Sequence, residues 1–495
     1  NDLTLLGPKL HIDTPLCSNI LDIFNSINIT NVEKIELFKI VKKDIDYDDT
    51  ILKLYKNKIE STDEELHIKN NIVRISELSK YFDKMESDYY TKYYEYLRRY
   101  PTYLEIFDLI QSNSEHCRHW FFRGNFFFKD KKLKTPMKLI KDTLKYGNNN
   151  NIIAFSDNSS VIKGFDCLNT YINYTLCKYE VDKIFTHPVL TAETHNFPTG
   201  ISPFHGAATG VGGRMRDNMA TGRGSIPIAS LAGYSVGNLK NKYNSYFSDP
   251  LEILIEASNG ASDYGNKVGE PIIGGYTSSY YGDEYEYIKP IMFSAGLSKI
   301  FNKHVYKGNP TVGDNIIVFG GPAYKIGIGG GSASSKSQNK KDLHAVQRGD
   351  PYVQNKMKQV VIKCAELLEE NPIKSIHDQG AGGIANVTKE LCEPYGGSIE
   401  LNKMKQAQKN MSSIEIYCSE FQESNAILCQ DEDLDLFKNI CDDENVDYNI
   451  LGKVNDSDYF SVYHNGNLEG EFDMKYLEKN KLKKHYKLKN CNSEI

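Results

Sequence analysis

The stretch from Thr191 to Ser225, TAETHNFPTGISPFHGAATGVGGRMRDNMATGRGS, crowds glycine and alanine around four side chains able to do chemistry: Glu193, His195, Arg216 and Asp217. A glycine-lined backbone can approach a ligand closely, and a helix start built of small residues points N–H groups at an anion, so Gly206 to Asp217 is expected to hold phosphate. Glu193 and Asp217 offer the hard oxygens that Mg2+ prefers, with waters and substrate phosphates filling the rest of its shell. His195 offers a general acid or base, and Arg216 a fork for phosphate oxygens. A bare run of glycines would equally make tight turns; it is the flanking acid, base and cation that argue for a site.

Three further segments could contribute. In Asn113-Ser114-Glu115-His116-Cys117-Arg118-His119 two histidines stand three apart, as they would on one helix face, and Cys117 beside Arg118 could have a lowered pKa. A cysteine nucleophile is one reading; His116 as a base or positioning group is preferred, because no partner for the thiol is placed by the sequence. Gly320-Gly321-Pro322 and Gly327 to Gly331 precede Gln347-Arg348-Gly349-Asp350-Pro351. His377-Asp378-Gln379-Gly380-Ala381-Gly382-Gly383 follows a strand-like run and precedes a helical one, the place where α/β sheets bind ligands. Asp378 is therefore a candidate third metal ligand, with an N-terminal helix cap as its alternative role. Glu420-Phe421-Gln422-Glu423 is weak by itself. No GxxxxGK[ST] occurs, which excludes the P-loop way of holding phosphates.

These residues need rigid elements behind them. Residues 1–60 combine a helical pattern (Ile20, Leu21, Ile23, Phe24) with a strand-like run, Ile35 to Val41, and so predict a small α+β module. Residues 61–119 read as a helical linker with solvated faces, ending in the NSEHCRH motif. From 120 to 305, strand-like runs (Ile152 to Phe155, Val189 to Thr194, Ile226 to Val236) alternate with glycine-rich turns as in one mixed α/β domain. Residues 306–470 predict a second: strands Asn315 to Phe319, Ile373 to Ile376, Ala426 to Cys429, Tyr448 to Val454 and Tyr459 to Tyr463, with helices Asn355 to Glu369, Ile384 to Cys392 and Leu434 to Cys441. Residues 471–495 are expected as a tail.

The bulk numbers fit this plan. A chain of 495 residues is long for one core, and 40% hydrophobic with 25% charged residues is the composition of a globular protein. A net charge of −6 with no basic arm argues against a nucleic-acid partner, and no apolar run is long enough to span a bilayer. Ten scattered cysteines without a CxxC pair suit free thiols in a reducing cytosol.

Taken in order, NSEHCRH, AETHNFPTGISPFHGAATGVGGRMRD, GGPAYKIGIGGGSASS, AVQRGDP, HDQGAGGIANVTKEL and SEFQES resemble the signature of the phosphoribosylformylglycinamidine synthases (FGAM synthases), from about Tyr100 to Tyr463 and more faintly over Gly7 to Lys42. The resemblance implies an aminoimidazole ribonucleotide synthetase-like fold. Its N-terminal α/β half pairs its sheet with a second copy to make a central barrel, and an α+β half flanks it. It implies ATP-dependent conversion of formylglycinamide ribonucleotide to the amidine with ammonia derived from glutamine, through a phosphorylated amide. By position, His116 and His195 match catalytic histidines, and Glu193, Asp217 and Asp378 match Mg2+ ligands. His119 stands where a nucleotide contact is made, and the glycine-rich cradle described above assigns Gly206, Ala207, Ala208, Thr209, Gly210, Gly212, Gly213 and Arg216 to ATP. Thr194, Asn196, Arg216, Gln347, Glu420 and Gln422 match substrate contacts. Two positions depart from the pattern: Phe197 stands where a second histidine is common and Phe421 where a serine is, which removes a polar contact at each. The second synthetase-like copy and a glutaminase domain are expected as partners, the latter because no glutaminase nucleophile elbow occurs. A non-catalytic half that only holds nucleotide is the alternative, and a small-molecule kinase of the same superfamily is disfavoured by NSEHCRH.

Overall fold

The computed structural model describes residues 4–10, 12–42, 45, 47–56, 59, 67–114, 118–174, 176–242, 246–282, 285–334, 343–408, 410–479 and 482–489. His116 and Cys117 lie outside the described residues, as does the side chain of His119.

Two seven-stranded sheets carry the molecule. In the first, the strands run in the order Ile272–Ser279, Ile226–Val236, Ile291–Phe301, Lys178–Thr194, Ser160–Ile162, Asn151–Ile153, and Phe165–Asn173 pairs with the far end of the long strand. One face is covered by helices Pro203–Met219 and Pro250–Val268. Val211, Met215, Ala257, Ala261 and Tyr264 pack there against Ala232, Tyr234 and Met292. The other face leaves Leu190, Leu231 and Tyr276 exposed, next to Phe293.

The second sheet has the order Ser375–Asp378, Ser424–Cys429, Asn315–Gly320, Asp447–Asn455, Gly396–Glu400, Tyr459–His464, Asn467–Asp473. Its central strand Asn315–Gly320 is buried along its whole length, because helices cover both faces. Helices Pro351–Glu366 and Leu434–Asp443 close one side through Met357, Val360, Val361 and Phe437. Helices Tyr103–Ser112, Gly383–Cys392 and Ser413–Cys418 close the other. The two halves are joined where Met219 and Ala220, at the end of the glycine-rich helix, enter the core of the second half. There Arg223 also donates to the carbonyls of Ile373 (2.7 Å) and Asn371 (2.6 Å).

Several boundaries differ from those expected. Within Ile35 to Val41 only Lys39–Ile40 pairs as strand; Leu37 and Ile40 are 74% exposed and meet no apolar face. The module instead pairs Thr4–Pro8 with Leu52–Lys56. Among the described residues of the linker, helical structure falls in Ile75–Lys80, in Lys84–Leu97, opened by the Asp83 and Glu86 capping box, and in Tyr103–Ser112, opened by that of Thr102 and Glu105. The strand ending at Thr194 begins at Lys178 and forms a hairpin with Phe165–Asn173. The presumed tail is folded in part: Asn467–Asp473 is the edge strand of the second sheet, and His485–Leu488 pairs in parallel with Asn125–Phe128.

The glycine-rich helix sits this close to its neighbours only because side chains are missing. A Cβ on Gly206 would come within 2.3 Å of the Thr199 nitrogen and 2.4 Å of the Pro198 carbonyl carbon, both backbone atoms that cannot swing aside. A Cβ on Gly213 would meet nothing nearer than 3.7 Å. Gly206→Ala should therefore destabilise the fold by about 2 kcal/mol despite alanine's better helix propensity. Gly213→Ala should be neutral or stabilise by up to about 1 kcal/mol. Chemical denaturation of the two variants beside the parent checks the contrast, and equal stabilities would discard the close-approach account.

Candidate active site

Gly206, Gly210, Gly213 and Asp217 recur at four, three and four residues along helix Pro203–Met219, which places them on one face. That face looks at the end of strand Lys178–Thr194. His195 lies just beyond the strand; its Nδ1 hydrogen bonds the Gly206 carbonyl at 2.6 Å, and a Cβ on Gly210 would stand 2.7 Å from the His195 Cβ. A carbonyl can only accept, so the neutral ring carries its proton on Nδ1 and keeps its lone pair on Nε2, the arrangement of a base. Glu193 sits one turn along, its Oε2 3.8 Å from where a Cβ of Gly213 would be. The stripe thus seats His195, then Glu193, then ends in Asp217.

This geometry corrects the expectation that Gly206 to Gly213 cradle a phosphate through free N–H groups. These residues form the body of a helix that starts at Pro203, so their amides lie within its hydrogen-bond ladder. Gly206, Ala207, Ala208, Thr209, Gly210 and Gly212 are buried. Their small size serves close packing: a Cβ on Gly212 would meet the Tyr264 ring at 2.6 Å.

Asp378 arrives from the other half, at the end of strand Ser375–Asp378. It is not a helix cap, since the following helix has Gly382 at its cap with a φ of 85° and no side-chain capping bond. Burial pushes the Glu193 carboxyl up to about 7, and the Asp378 charge adds to this against the pull of Arg216 and Arg214. Burial likewise holds Asp217 well above the carboxylate range, with Asp378 and Glu193 repelling its ionised form. For Asp378 burial acts upward, but its hydrogen bond to His377, with the charges of His377, Arg216 and Lys307, holds it below the ordinary value. His377 in turn is lifted to about 10 against the effect of its burial, because it lies between Asp378 and Glu390, with Nε2 2.6 Å from the latter's Oε2. Sequence reasoning passed over His377 as a counter-charge and missed Asn158 altogether; Asn158 donates to Asp378 Oδ1 at 2.6 Å and to Asp217 Oδ1 at 3.2 Å.

The remaining candidates divide. Thr194 is exposed and Asn196 accepts the Met292 N–H through Oδ1 (3.0 Å). Arg216 is 1% exposed; its guanidinium donates to Gln354 Oε1 (3.1 Å) and lies 3.5 Å from Glu423 Oε1, so it stands as an internal counter-charge rather than an open phosphate fork. Glu420, also buried, accepts from the Gly331 N–H (2.9 Å), the Gly382 N–H (3.1 Å) and Gln347 Nε2 (2.7 Å). It ties two glycine-rich loops together, and Gln422 bonds its backbone carbonyl at 3.2 Å. Phe197 and Phe421 are buried apolar side chains.

Among the described residues, the trio whose ligand atoms all lie within 4.8 Å of one another is Asp13, Cys17 and Glu36. Lys34 pairs with that Asp13 and stands 3.5 Å from Glu36, and Thr14 donates twice to Glu36, so the cluster already has its cation. Glu193, Asp217 and Asp378 are spaced more widely. That spacing suits Mg2+ with phosphate oxygens and waters between the protein ligands. The donor set fits as well: three carboxylates with mutually opposed ionisation, and buried polar atoms without protein partners at Asn218 Nδ2 and Gln379 Oε1, next in sequence to Asp217 and Asp378, and at Asn425, the strand partner of Asp378.

The α/β half with its helix-backed sheet and the α+β half set against it coincide with two regions that match the AIR synthase related proteins. Residues 179–297 match the model for the AIR synthase related protein N-terminal domain, residues 311–465 that for its C-terminal domain, and residues 76–119 that for the formylglycinamide ribonucleotide amidotransferase linker domain. The chain is 45% identical over 404 residues to the probable phosphoribosylformylglycinamidine synthase, chloroplastic/mitochondrial, of Arabidopsis thaliana, which covers 77% of this chain and 29% of that one. It is 38% identical to the phosphoribosylformylglycinamidine synthase of Homo sapiens, with 89% and 37% covered. The solved structure of T. maritima PurL complexed with FGAR shares the fold, with a TM-score of 0.59 at 22% identity over 81% of this chain and 57% of that one. The chain belongs to the phosphoribosylformylglycinamidine synthase family, and it spans 29% and 37% of the length of these two relatives.

The raised Glu193 carboxyl has a signed consequence. A folded-state value of about 7 against about 4.5 unfolded means the folded protein holds this proton more tightly, so its stabilising contribution is present below pH 4.5 and is lost as pH rises through 7. Glu193→Gln removes that loss. Without divalent cations, the variant's thermal midpoint relative to the parent should climb steadily between about pH 4.5 and 7, and added Mg2+ should stabilise the parent more than the variant. A difference that stays flat with pH would show that Glu193 ionises as an ordinary carboxylate.

Proposed function

We propose that this chain carries the synthetase site of an FGAM synthase and catalyses ATP-dependent amidation of formylglycinamide ribonucleotide with ammonia derived from glutamine. The observation that carries the reading is the convergence of His195, Glu193 and Asp217 along one glycine stripe with Asp378 from the opposite half, in a chain 38–45% identical to proteins named for that synthase. T. maritima PurL, which shares the fold, has been crystallised with FGAR and with ATP.

Glu193, Asp217 and Asp378 would hold Mg2+, which when bound supplies positive charge against the transferring phosphoryl group. Transfer to the amide oxygen gives an iminophosphate, and ammonia displaces the phosphate to leave the amidine, ADP and inorganic phosphate. His195, with its lone pair on Nε2, takes the proton that ammonia must lose as the carbon–nitrogen bond forms. His116, matched by position to a second catalytic histidine, shares the proton handling, and His119 contacts the nucleotide.

The open face of the first sheet bears Leu190, Leu231, Phe293 and Tyr276 in adjoining registers, an apolar surface of the kind a second sheet covers. In our reading a second synthetase-like copy closes it into a barrel and a glutaminase supplies the ammonia. Buried free thiols at Cys364, Cys392, Cys418 and Cys441 support a reducing compartment, the cytosol. No helix among the described residues is long and apolar enough to cross a membrane. The intact set of acids and base favours a working site over a half that merely holds nucleotide.

In the complete enzyme with ammonia supplied directly, His195→Ala should lower turnover by about a hundredfold or more while ATP binding persists. Unchanged turnover removes His195 from the mechanism, and ATP binding without any turnover in the parent chain would favour the nucleotide-holding alternative.

A further inference from the structure

Asn158 lies in the short connection between strands Asn151–Ile153 and Ser160–Ile162, at 59 and 220 positions from the two acids it touches. Its neighbours moor that connection to the end of the glycine-rich helix. Asp157 accepts the Gly222 N–H through Oδ2 (2.8 Å) and pairs with Lys307 through Oδ1 (2.6 Å), while Ser159 Oγ donates to the Asp217 carbonyl at 3.1 Å. Asn158 is thereby delivered between Asp217 and Asp378. Its Nδ2 donates to Asp378 Oδ1 at 2.6 Å and to Asp217 Oδ1 at 3.2 Å, and its Oδ1 accepts from Lys307 Nζ at 3.0 Å.

The amide can sit only one way round. Reversed, it would turn N–H groups toward the Lys307 ammonium, which has no acceptor, and a carbonyl oxygen toward the Asp378 carboxylate, which has no donor. Lys307 therefore decides that Asn158 presents both its hydrogens to the acids. Each acid has its Oδ1 engaged in this way, and Asp378 Oδ2 lies 3.4 Å from where a Cβ of Gly380 would be, on the side of the glycine-rich loop.

We propose that Asn158 is a positioning residue for the cation site: its amide clasps Asp217 of one half to Asp378 of the other and fixes which carboxylate oxygens face the metal, with Lys307 setting the orientation of the clasp. The inference rests on the reading that Asp217 and Asp378 bind Mg2+. It adds a residue that touches neither metal nor substrate and acts through the two that do, as outer partners of metal ligands commonly do.

Mn2+ binding, followed by the loss of its free-ion electron paramagnetic resonance signal in the protein in its complete form, separates this from a purely structural role. Asn158→Ala should weaken Mn2+ binding roughly tenfold or more with the metal-free unfolding midpoint little changed. Asn158→Ser, whose hydroxyl can donate to one acid at a time, should fall between Ala and the parent. Parental Mn2+ affinity in a folded Asn158→Ala overturns the proposal, and if that variant does not fold, parental affinity in Asn158→Ser does so. Asp217→Asn is the control for the underlying reading: undiminished Mn2+ binding there would sink the cation assignment itself, whereas weakened binding there with none in the Asn158 variants sinks only the clasp.

Discussion

The site depends on how closely one helix can approach the end of one strand. Helix Pro203–Met219 presents Gly206 and Gly210 where any larger side chain would strike Thr199 or His195, and Gly213 faces Glu193 at ordinary contact distance. Because nothing projects from these positions, the His195 ring reaches the Gly206 carbonyl and Glu193 lies over Gly213. The tautomer of the histidine and the burial of the glutamate both follow from that proximity, so the acid–base character of the site is a consequence of backbone packing.

The same closeness creates an electrostatic problem that the rest of the architecture answers. Three carboxylates from two halves converge on a poorly hydrated region, where their charges oppose one another's ionisation. Arg216 is buried against Gln354 and Glu423 rather than turned toward solvent, and His377, lifted to about 10, lies between Asp378 and Glu390. These cations do not suffice for all three acids, since Glu193 and Asp217 remain displaced upward while Asp378 is held down. A site left short of positive charge by its own residues is suited to a divalent cation, and substrate phosphates can fill the space that the wide spacing of the acids leaves between them.

Much of this was legible in the sequence because it is local. Glu193, His195 and Asp217 fall in one dense segment, and Asp378 at the junction of a strand and a glycine loop was marked by that context alone. Strands such as Ile226–Val236 announce themselves as runs of apolar residues buried under helices. What escaped is non-local or ambiguous. Asn158 has no motif, and its significance lies in contacts hundreds of residues away. Residues 178–188 alternate charged and apolar side chains without a clean period and become strand only through the hairpin with Phe165–Asn173. The glycines of helix Pro203–Met219 were read as ligand-facing because composition cannot distinguish a glycine that admits a phosphate from one that admits a neighbouring chain.

Two kinds of contact hold the halves together near the site. On the helix side Met219 and Ala220 are embedded in the apolar core of the second half. At the acids themselves the connection is polar: Asn158 bridges Asp217 and Asp378, and Tyr264 reaches across to Glu423 at 2.7 Å beside Arg216. The joint between the halves is thus apolar at the end of the helix and polar at the acids. A close-packed apolar joint tolerates little movement whereas hydrogen-bonded side chains can shift by fractions of an ångström, so the alignment of the acids is the softer of the two contacts.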